Sequence, residues 1–326
     1  MRFGCLMICR CLLCVLGGVA QVSSASDIVS SASARAPLPA PGSAGTTSTL
    51  RIGQAHIHLL VEGRPFALSP QALRDWVQRS AEIVAQYYDG LPVGEAWVAL
   101  RGVRGNRVMN GQAVVTGGAV VNVNVGLQAT PAALAEDWIL VHELIHLAFP
   151  SLARRHHWLE EGLSVYVESI ARANAGVLDA DTVWAGFLDG MPRGLPGPGD
   201  RGLDRTPTWG RTYWGGALFC LLADIHIRQQ THGEKTLRDA LRGVTAAGYD
   251  MTRPAEIRTV LAVADQATGT SVMLDLYDEM RAQPVPATLE PLWAELGVAE
   301  RDGKVIYDDR APLAAIRQAL TRHIGR

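Results

Sequence analysis

In the stretch HELIH, His142 and His146 stand four positions apart, with Glu143 directly after the first. On an α-helix that spacing places both imidazoles one turn apart on the same face, so they can aim at one point. Glu143 then stands about 100° round the helix from His142, close to a metal held there but outside its shell. A carboxylate in that place can hold and deprotonate a bound water, which is the chemistry of a zinc-assisted hydrolase. The plain alternative, two satisfied histidines beside a solvated acidic patch, suits an apolar helix poorly, because such groups are seldom buried unless something pairs them.

Catalytic zinc takes three protein ligands and keeps one position for water, so HELIH requires a partner. Glu160 and Glu161 follow His146 after thirteen and fourteen intervening residues, enough for a loop that returns a second helix beside the first. Spacing favours Glu161, because Glu168 lies two turns further along the same face and could orient a ligand histidine. Glu160 would then face solvent or a neighbouring charge.

Three pieces in this order resemble the gluzincin metallopeptidases, and specifically the aminopeptidase N and glycyl aminopeptidase families: HELIH, then WLEEGLSVYVE, then TYWGGALFCLLADIHIR. The resemblance implies one zinc ion and a peptide or protein substrate. It implies Glu161, from the Glu-Gly pair, as the third ligand, in agreement with the spacing. It also implies Tyr213 as the hydroxyl that donates to the oxyanion of the tetrahedral intermediate. The segment GALFCLLADIHIRQQTHGEKTLRDALR and the ending LGVAERDGKVIYDDRAPLAAIRQAL are closer to the glycyl aminopeptidases, so the likeness runs from about His142 to the C-terminus. Three departures stand out. Gly215 replaces the lysine of a Lys-Gly pair, the interval from His146 to Glu161 is shorter than in aminopeptidase N, and no PDZ domain is recognisable. The strand TGGAVVNVNVG stands where an edge strand that binds the substrate backbone is expected, with Val120, Val121, Asn122 and Val123 as the contact residues. It carries no acidic residue for a free amino terminus, so aminopeptidase specificity is not supported.

Other candidates carry less chemistry. GPGDRG matches a dinucleotide-binding pattern but lies in a Pro-rich loop with no strand before it, so it reads as a loop. Cys220 sits in an apolar run and reads as a packed small residue. His156 and His157, at the start of the second helix, read as surface histidines. Asp224, His226 and Arg228 read as a polar network without an assigned role.

The elements that must position these groups can be read from periodicity. RIGQAHIHLLVEGRPFAL alternates like a strand pair turning at Glu62-Gly63. A helix follows with Ser69 as N-cap and Gly90 as its stop, and EAWVALRGV and GGAVVNVNVGL are further strands. After the Thr130-Pro131 start signal the pattern becomes helical. One helix spans about Pro131 to Ala148 and the next about His157 to Ala175. A Gly- and Pro-rich loop, 189–211, precedes the helix that carries Tyr213 and is expected to line the cleft. The tail APLAAIRQALTRHI is amphipathic and should dock on the body. The expected fold is therefore α+β, a thermolysin-like gluzincin domain over 50–326. Its small, mostly antiparallel mixed sheet (50–128) precedes a helical half (129–326).

Composition supports a packed globular domain: 48% of the 326 residues are hydrophobic. Thirty basic residues against 32 acidic ones leave a net charge of −2 with no dense basic run, which excludes nucleic acid as an expected partner. Residues 1–25 have the makings of a secretory signal peptide: Arg2 and Arg10 flank a short apolar run that ends in small residues. An uncleaved anchor is the alternative, and no stable membrane insertion is expected after cleavage. Cys5, Cys9, Cys11 and Cys14 would leave with it, so only Cys220 remains and no internal disulfide can form. Residues 26–49 read as a flexible linker. The expectation is an exported, periplasmic zinc peptidase. The competing classes are a non-catalytic zinc-binding envelope protein that keeps the fold and a zinc hydrolase of small amides or esters.

Overall fold

A computed structural model describes residues 45–285 and 288–325. The expected signal peptide and nearly all of the expected linker lie outside the described residues. No described helix is long and apolar enough to cross a membrane.

The first half builds a five-stranded sheet from β1 (Gly45–Ile52), β2 (Ala55–Glu62), β3 (Glu95–Val103), β4 (Val108–Val115) and β5 (Ala119–Gly126). Their order is β1-β2-β3-β5-β4. The outer pairs, β1 with β2 and β5 with β4, are antiparallel, whereas β2 with β3 and β3 with β5 are parallel. The architecture is α+β, as expected. The sheet is evenly mixed rather than mainly antiparallel, because α1 (Pro70–Tyr88) carries the chain from β2 back to the same end for β3.

Two boundaries differ from the expectation. The first hairpin turns at Gly53-Gln54, since Ile52 pairs with Ala55 and Gly53 has a φ of +59°. Gly63 also has a positive φ, but it leads the chain to Pro65, which cannot extend a ladder. Residues 45–49, expected in the linker, belong to β1, where Thr46, Thr47 and Thr49 pair with β2 and suit a strand.

Ser69 does cap α1, its side chain accepting the Ala72 amide at 3.2 Å, and Asp89 closes it in the left-handed region ahead of Gly90. The buried face of α1 (Leu73, Trp76, Val77, Ala81, Val84) packs between the sheet and the helical half. That half begins with α2 (Pro131–Ala135), α3 (Ile139–His146), α4 (His157–Asn174), α5 (Ala180–Gly190) and α6 (Gly216–Gln230). It continues with α7 (Leu237–Ala246), α8 (Ile257–Thr268), α9 (Val272–Met280), α10 (Leu289–Leu296), the hairpin β6 (Val298–Arg301) and β7 (Lys304–Tyr307), and α11 (Ala314–Leu320). The helix expected over Pro131 to Ala148 is two. Asp137 accepts the amides of Ile139 and Leu140 at 3.1 Å each, a local cap that restarts the chain as α3. The tail docks: Asn174 donates to the carbonyls of Leu320 and Arg322, and Gln86 to that of Ile324.

Candidate metal centre

α3 and α4 lie side by side, α3 also packs against the edge strand β4, and α6 packs against α4. Leu140, Leu144 and Ile145 anchor α3 in the core, which leaves the other face for His142, Glu143 and His146. One donor atom each from His142, His146 and Glu161 lie within 4.8 Å of one another. Oε2 of Glu161 is 3.3 Å from Nε2 of His142 and 3.7 Å from Nε2 of His146. A tetrahedral zinc shell with bonds of about 2.0–2.1 Å sets neighbouring ligand atoms about 3.3–3.4 Å apart, so two imidazole nitrogens and one carboxylate oxygen at these spacings fit that ion. The side chains of His142, His146 and Glu161 are only 6%, 15% and 12% exposed, which shields the centre from bulk water.

The neighbours of these donors are only partly legible in the sequence. Ser164 Oγ lies 3.3 Å from Nδ1 of His146, and Trp138 meets the His142 ring edge-on at 5.7 Å. Glu168, expected to orient a ligand histidine, is instead bonded to Arg172 at 2.7 Å and accepts the Ser169 hydroxyl at 3.0 Å. It is turned to that pair because Arg172 lies one turn further along α4 with both side chains buried. Glu160 faces a neighbouring charge as expected: it accepts the Leu152 amide at 2.6 Å and lies 2.8 Å from Nδ1 of His157. Of His156 and His157, expected as surface histidines, His156 is buried, whereas His157 is exposed as expected but pairs with partly buried carboxylates. Nδ1 of His156, in a turn of 3₁₀ helix (Arg154–His156), is 2.8 Å from Asp204, which also accepts Trp158 Nε1 and the Tyr277 hydroxyl. Nε2 of His157 lies 3.1 Å from Oε1 of Glu161. The i, i+4 spacing of His157 and Glu161 is the signal that points to this contact.

Glu143 is held by the sheet. Its Oε2 accepts the Ala113 amide at 2.8 Å, and Gly111 lies so close that a Cβ there would stand 2.5 Å from Glu143 Cγ. Both residues belong to β4, a strand absent from the sequence-based expectation because VMNGQAVV mixes glycine and amides into a weak alternation. The Thr116-Gly117-Gly118 turn after it is the signal that could reveal it. β4 is the edge strand. β5 lies inside the sheet between β3 and β4, with Val120, Val121 and Val123 buried. Val120, Val121, Asn122 and Val123 therefore cannot offer a backbone edge to a substrate.

Tyr213 comes from a single π-helical turn, Arg211–Gly215, that runs into α6. Such a turn inserts an extra residue and is frequent at functional positions. Burial raises the Tyr213 hydroxyl pKa well above the usual tyrosine value, and the nearby carboxylates of Glu161 and Glu143 add to the shift, so the hydroxyl stays a donor. Trp209 stacks on its ring at 5.9 Å. The loop 189–211 packs against this turn. Gly194 packs against Trp214 and Gly215, and Asp200 meets Arg211 Nε at 2.8 Å in a buried ion pair that is charge-to-charge rather than a well-aligned hydrogen bond. Gly215 is tightly enclosed: a Cβ there would stand 3.0 Å from Leu203 Cδ2 and 3.2 Å from the Gly194 carbonyl oxygen, so the lysine that the resemblance places there would require these neighbours to give way. GPGDRG is indeed a loop, with Asp200 accepting the Gly202 amide.

Electrostatics around the centre are coupled. Burial raises the Glu143 carboxyl above its usual range, and Glu161 raises it further, against the pull of His146 and His142. For Glu161 burial also works against the charge, yet His146, His142 and His157 outweigh it and hold the carboxyl well below its usual range. His157 is pushed up to about 10 by its bonds to Glu160 and Glu161. Further off, Asp224 accepts the Tyr166 hydroxyl, Arg228 and the Leu237 amide, a network that ties α4, α6 and α7 together in the core. Cys220 is buried with its thiol pushed up by burial, as expected for a packing residue.

No family model and no curated protein matches the chain. Solved structures do. An M1 zinc metallopeptidase from Deinococcus radiodurans is 19% identical, with 74% of this chain and 54% of that one superposed at a TM-score of 0.50. An aminopeptidase N family protein from Idiomarina loihiensis is 15% identical over 78% of this chain and 49% of that one, at 0.58. A mutant M1 zinc metallopeptidase from Deinococcus radiodurans bound to a Tyr-Ser-Ala substrate is 19% identical over 76% and 54%, at 0.51. The chain spans about half the length of these structures. It therefore shares, over the superposed part, the fold of these structures, an α+β unit in which a five-stranded sheet precedes the helices.

Proposed function

We propose that the protein is an exported zinc-dependent peptidase of gluzincin type. The observation that carries this reading is the convergence of His142, His146 and Glu161 at tetrahedral spacing beside Glu143, on a fold shared with M1 zinc metallopeptidases. His142, His146 and Glu161 would hold one zinc ion, which supplies Lewis acidity to a water and to the scissile carbonyl. Glu143 takes a proton from the attacking water and returns it to the leaving amine. The Ala113 amide fixes its direction. Tyr213 donates its hydroxyl to the developing oxyanion.

The substrate strand belongs on β4. In an antiparallel edge strand alternate residues turn both backbone groups outward, and the bond from Ala113 to Glu143 marks Gly111, Ala113 and Val115 as that set. The Ala113 amide is taken by Glu143, so an extended peptide adding there would pair with the outward groups on either side of it and pass close to Glu143. Kinship with the glycyl aminopeptidases in particular rests on the C-terminal segments, and export with a periplasmic address rests on residues 1–25.

The test is mass-spectrometric cleavage profiling of a peptide library with the zinc-loaded protein beside Glu143→Gln. Cuts that vanish in a variant with undiminished zinc support the assignment. Equal turnover in both removes Glu143 as the base, and no cutting by zinc-loaded wild type removes the peptidase reading. Glu161→Ala should lower zinc content. If Glu160→Ala alone does so, the third ligand is misassigned.

A further inference from the structure

The third metal donor has a second oxygen, and a neighbour occupies it. Glu161 turns Oε2 toward Nε2 of His142 and His146, while Oε1 lies 3.1 Å from Nε2 of His157, one turn earlier on α4. His157 is itself gripped from the far side, its Nδ1 2.8 Å from Oε2 of Glu160. Glu160 is fixed in turn, because its Oε1 accepts the Leu152 amide at 2.6 Å. A continuous relay thus runs from the backbone of the α3–α4 connection through two side chains to the metal donor. Carboxylate oxygens only accept, so both ring nitrogens of His157 serve as donors and neither is left to ligate a metal.

We propose that His157 is a positioning residue that holds Glu161 to a single oxygen toward the metal and so keeps the fourth position of the shell open for water. The proposal rests on the zinc-peptidase reading above. A carboxylate free at both oxygens can swing in and bind through both, filling the place a water needs. A donor held on Oε1 withholds that oxygen and fixes the plane of the group, the service that neighbouring hydrogen bonds give metal ligands generally. An i, i+4 pair could instead serve only the stability of α4, a role that would leave the metal untouched.

The experiment compares wild type with His157→Leu and His157→Gln, stripped with a chelator and reloaded with Co²⁺ or Zn²⁺. Wild type should give the intense visible bands of four-coordinate cobalt. His157→Leu should give the weaker bands of higher coordination and bind Zn²⁺ at least about 10-fold more weakly in chelator competition. Its metal-free form should melt as wild type does. His157→Gln, whose amide can still donate to Oε1, should recover most of both properties. A leucine variant with the wild-type spectrum and zinc affinity overturns the proposal, and so does a glutamine variant no better than leucine. Wild type that takes up neither metal overturns the zinc-peptidase reading itself, which separates the two failures.

Discussion

Gly162 on α4 and Gly216 on α6 meet backbone to backbone: a Cβ on Gly162 would fall inside the Gly216 main chain, and one on Gly216 would fall against the Trp158 carbonyl. Glu161 precedes the first glycine and Tyr213 stands three residues before the second, so this contact bears on the distance between the candidate metal donor and the proposed oxyanion donor. Gly162→Ala should force the helices apart, costing about 1–3 kcal/mol in denaturant unfolding. It should also lower kcat more than it weakens zinc binding. A variant with wild-type stability and turnover would mean that the spacing is set elsewhere.

Gly111 performs the same service for Glu143, the proposed base. Alanine there would place its Cβ 2.5 Å from Glu143 Cγ and 3.0 Å from Ile139 Cγ2, so the Glu143 side chain itself would have to shift. Gly111→Ala is expected to turn Glu143 away from the attacking water and reduce kcat/KM by about 10-fold or more, with zinc content unchanged. Zinc analysis beside steady-state kinetics checks both halves.

Asp200 and Arg211 are a buried pair whose side chains are 2% and 4% exposed. Removing one partner strands the other charge, so Arg211→Met should destabilise the protein by about 3–5 kcal/mol. Arg211→Met combined with Asp200→Leu should recover a large part of that loss. Tyr213 stands two residues from Arg211, so the double variant should fold yet turn over more slowly. A double variant as unstable as the single one would show that packing, not charge, is what the pair provides.

Asp137 gives the fold a pH dependence of unusual sign. Burial pushes its carboxyl up to about 6, although the amides of Leu140 and Ile139 and the nearby Arg172 favour the charge. Between about pH 4 and pH 6 the native state keeps a proton that the unfolded chain has lost, so this group makes stability fall as pH rises through that window. The effect amounts to roughly 3 kcal/mol at most, at about 1.4 kcal/mol for each pH unit. The stability difference between wild type and Asp137→Asn should shift by up to that amount between pH 4 and pH 7. A carboxyl carbon resonance of Asp137 with its midpoint near 4 would contradict it.

What the sequence discloses follows the range of the interactions involved. HELIH and Glu161 can be found because i, i+4 geometry and a helix returning after a short connection are local. Ser69 and Gly90 can be read as helix ends for the same reason. The strand that faces the metal cannot, since the choice between β4 and β5 as the edge is decided by which of them pairs with β3, a long-range matter on which VMNGQAVV and AVVNVNVG are silent. Counting turns along α4 puts Glu168 on the ligand face, but the count omits Arg172, whose charge one turn further on claims that carboxylate. His157 has the look of a surface residue at a helix start, although its spacing to Glu161 is the same four residues that identify His142 and His146.

The candidate metal donors all come from one uninterrupted stretch, His142 to Glu161, whereas the amide that holds Glu143 lies upstream at Ala113 and the hydroxyl proposed to meet the oxyanion lies downstream at Tyr213. On the proposed reading, capture of an ion and competence to cut are thus separate demands on the chain. Binding zinc calls on the helix pair alone, whereas hydrolysis would also need the two flanking segments in place. Bound metal would then be no measure of a working site.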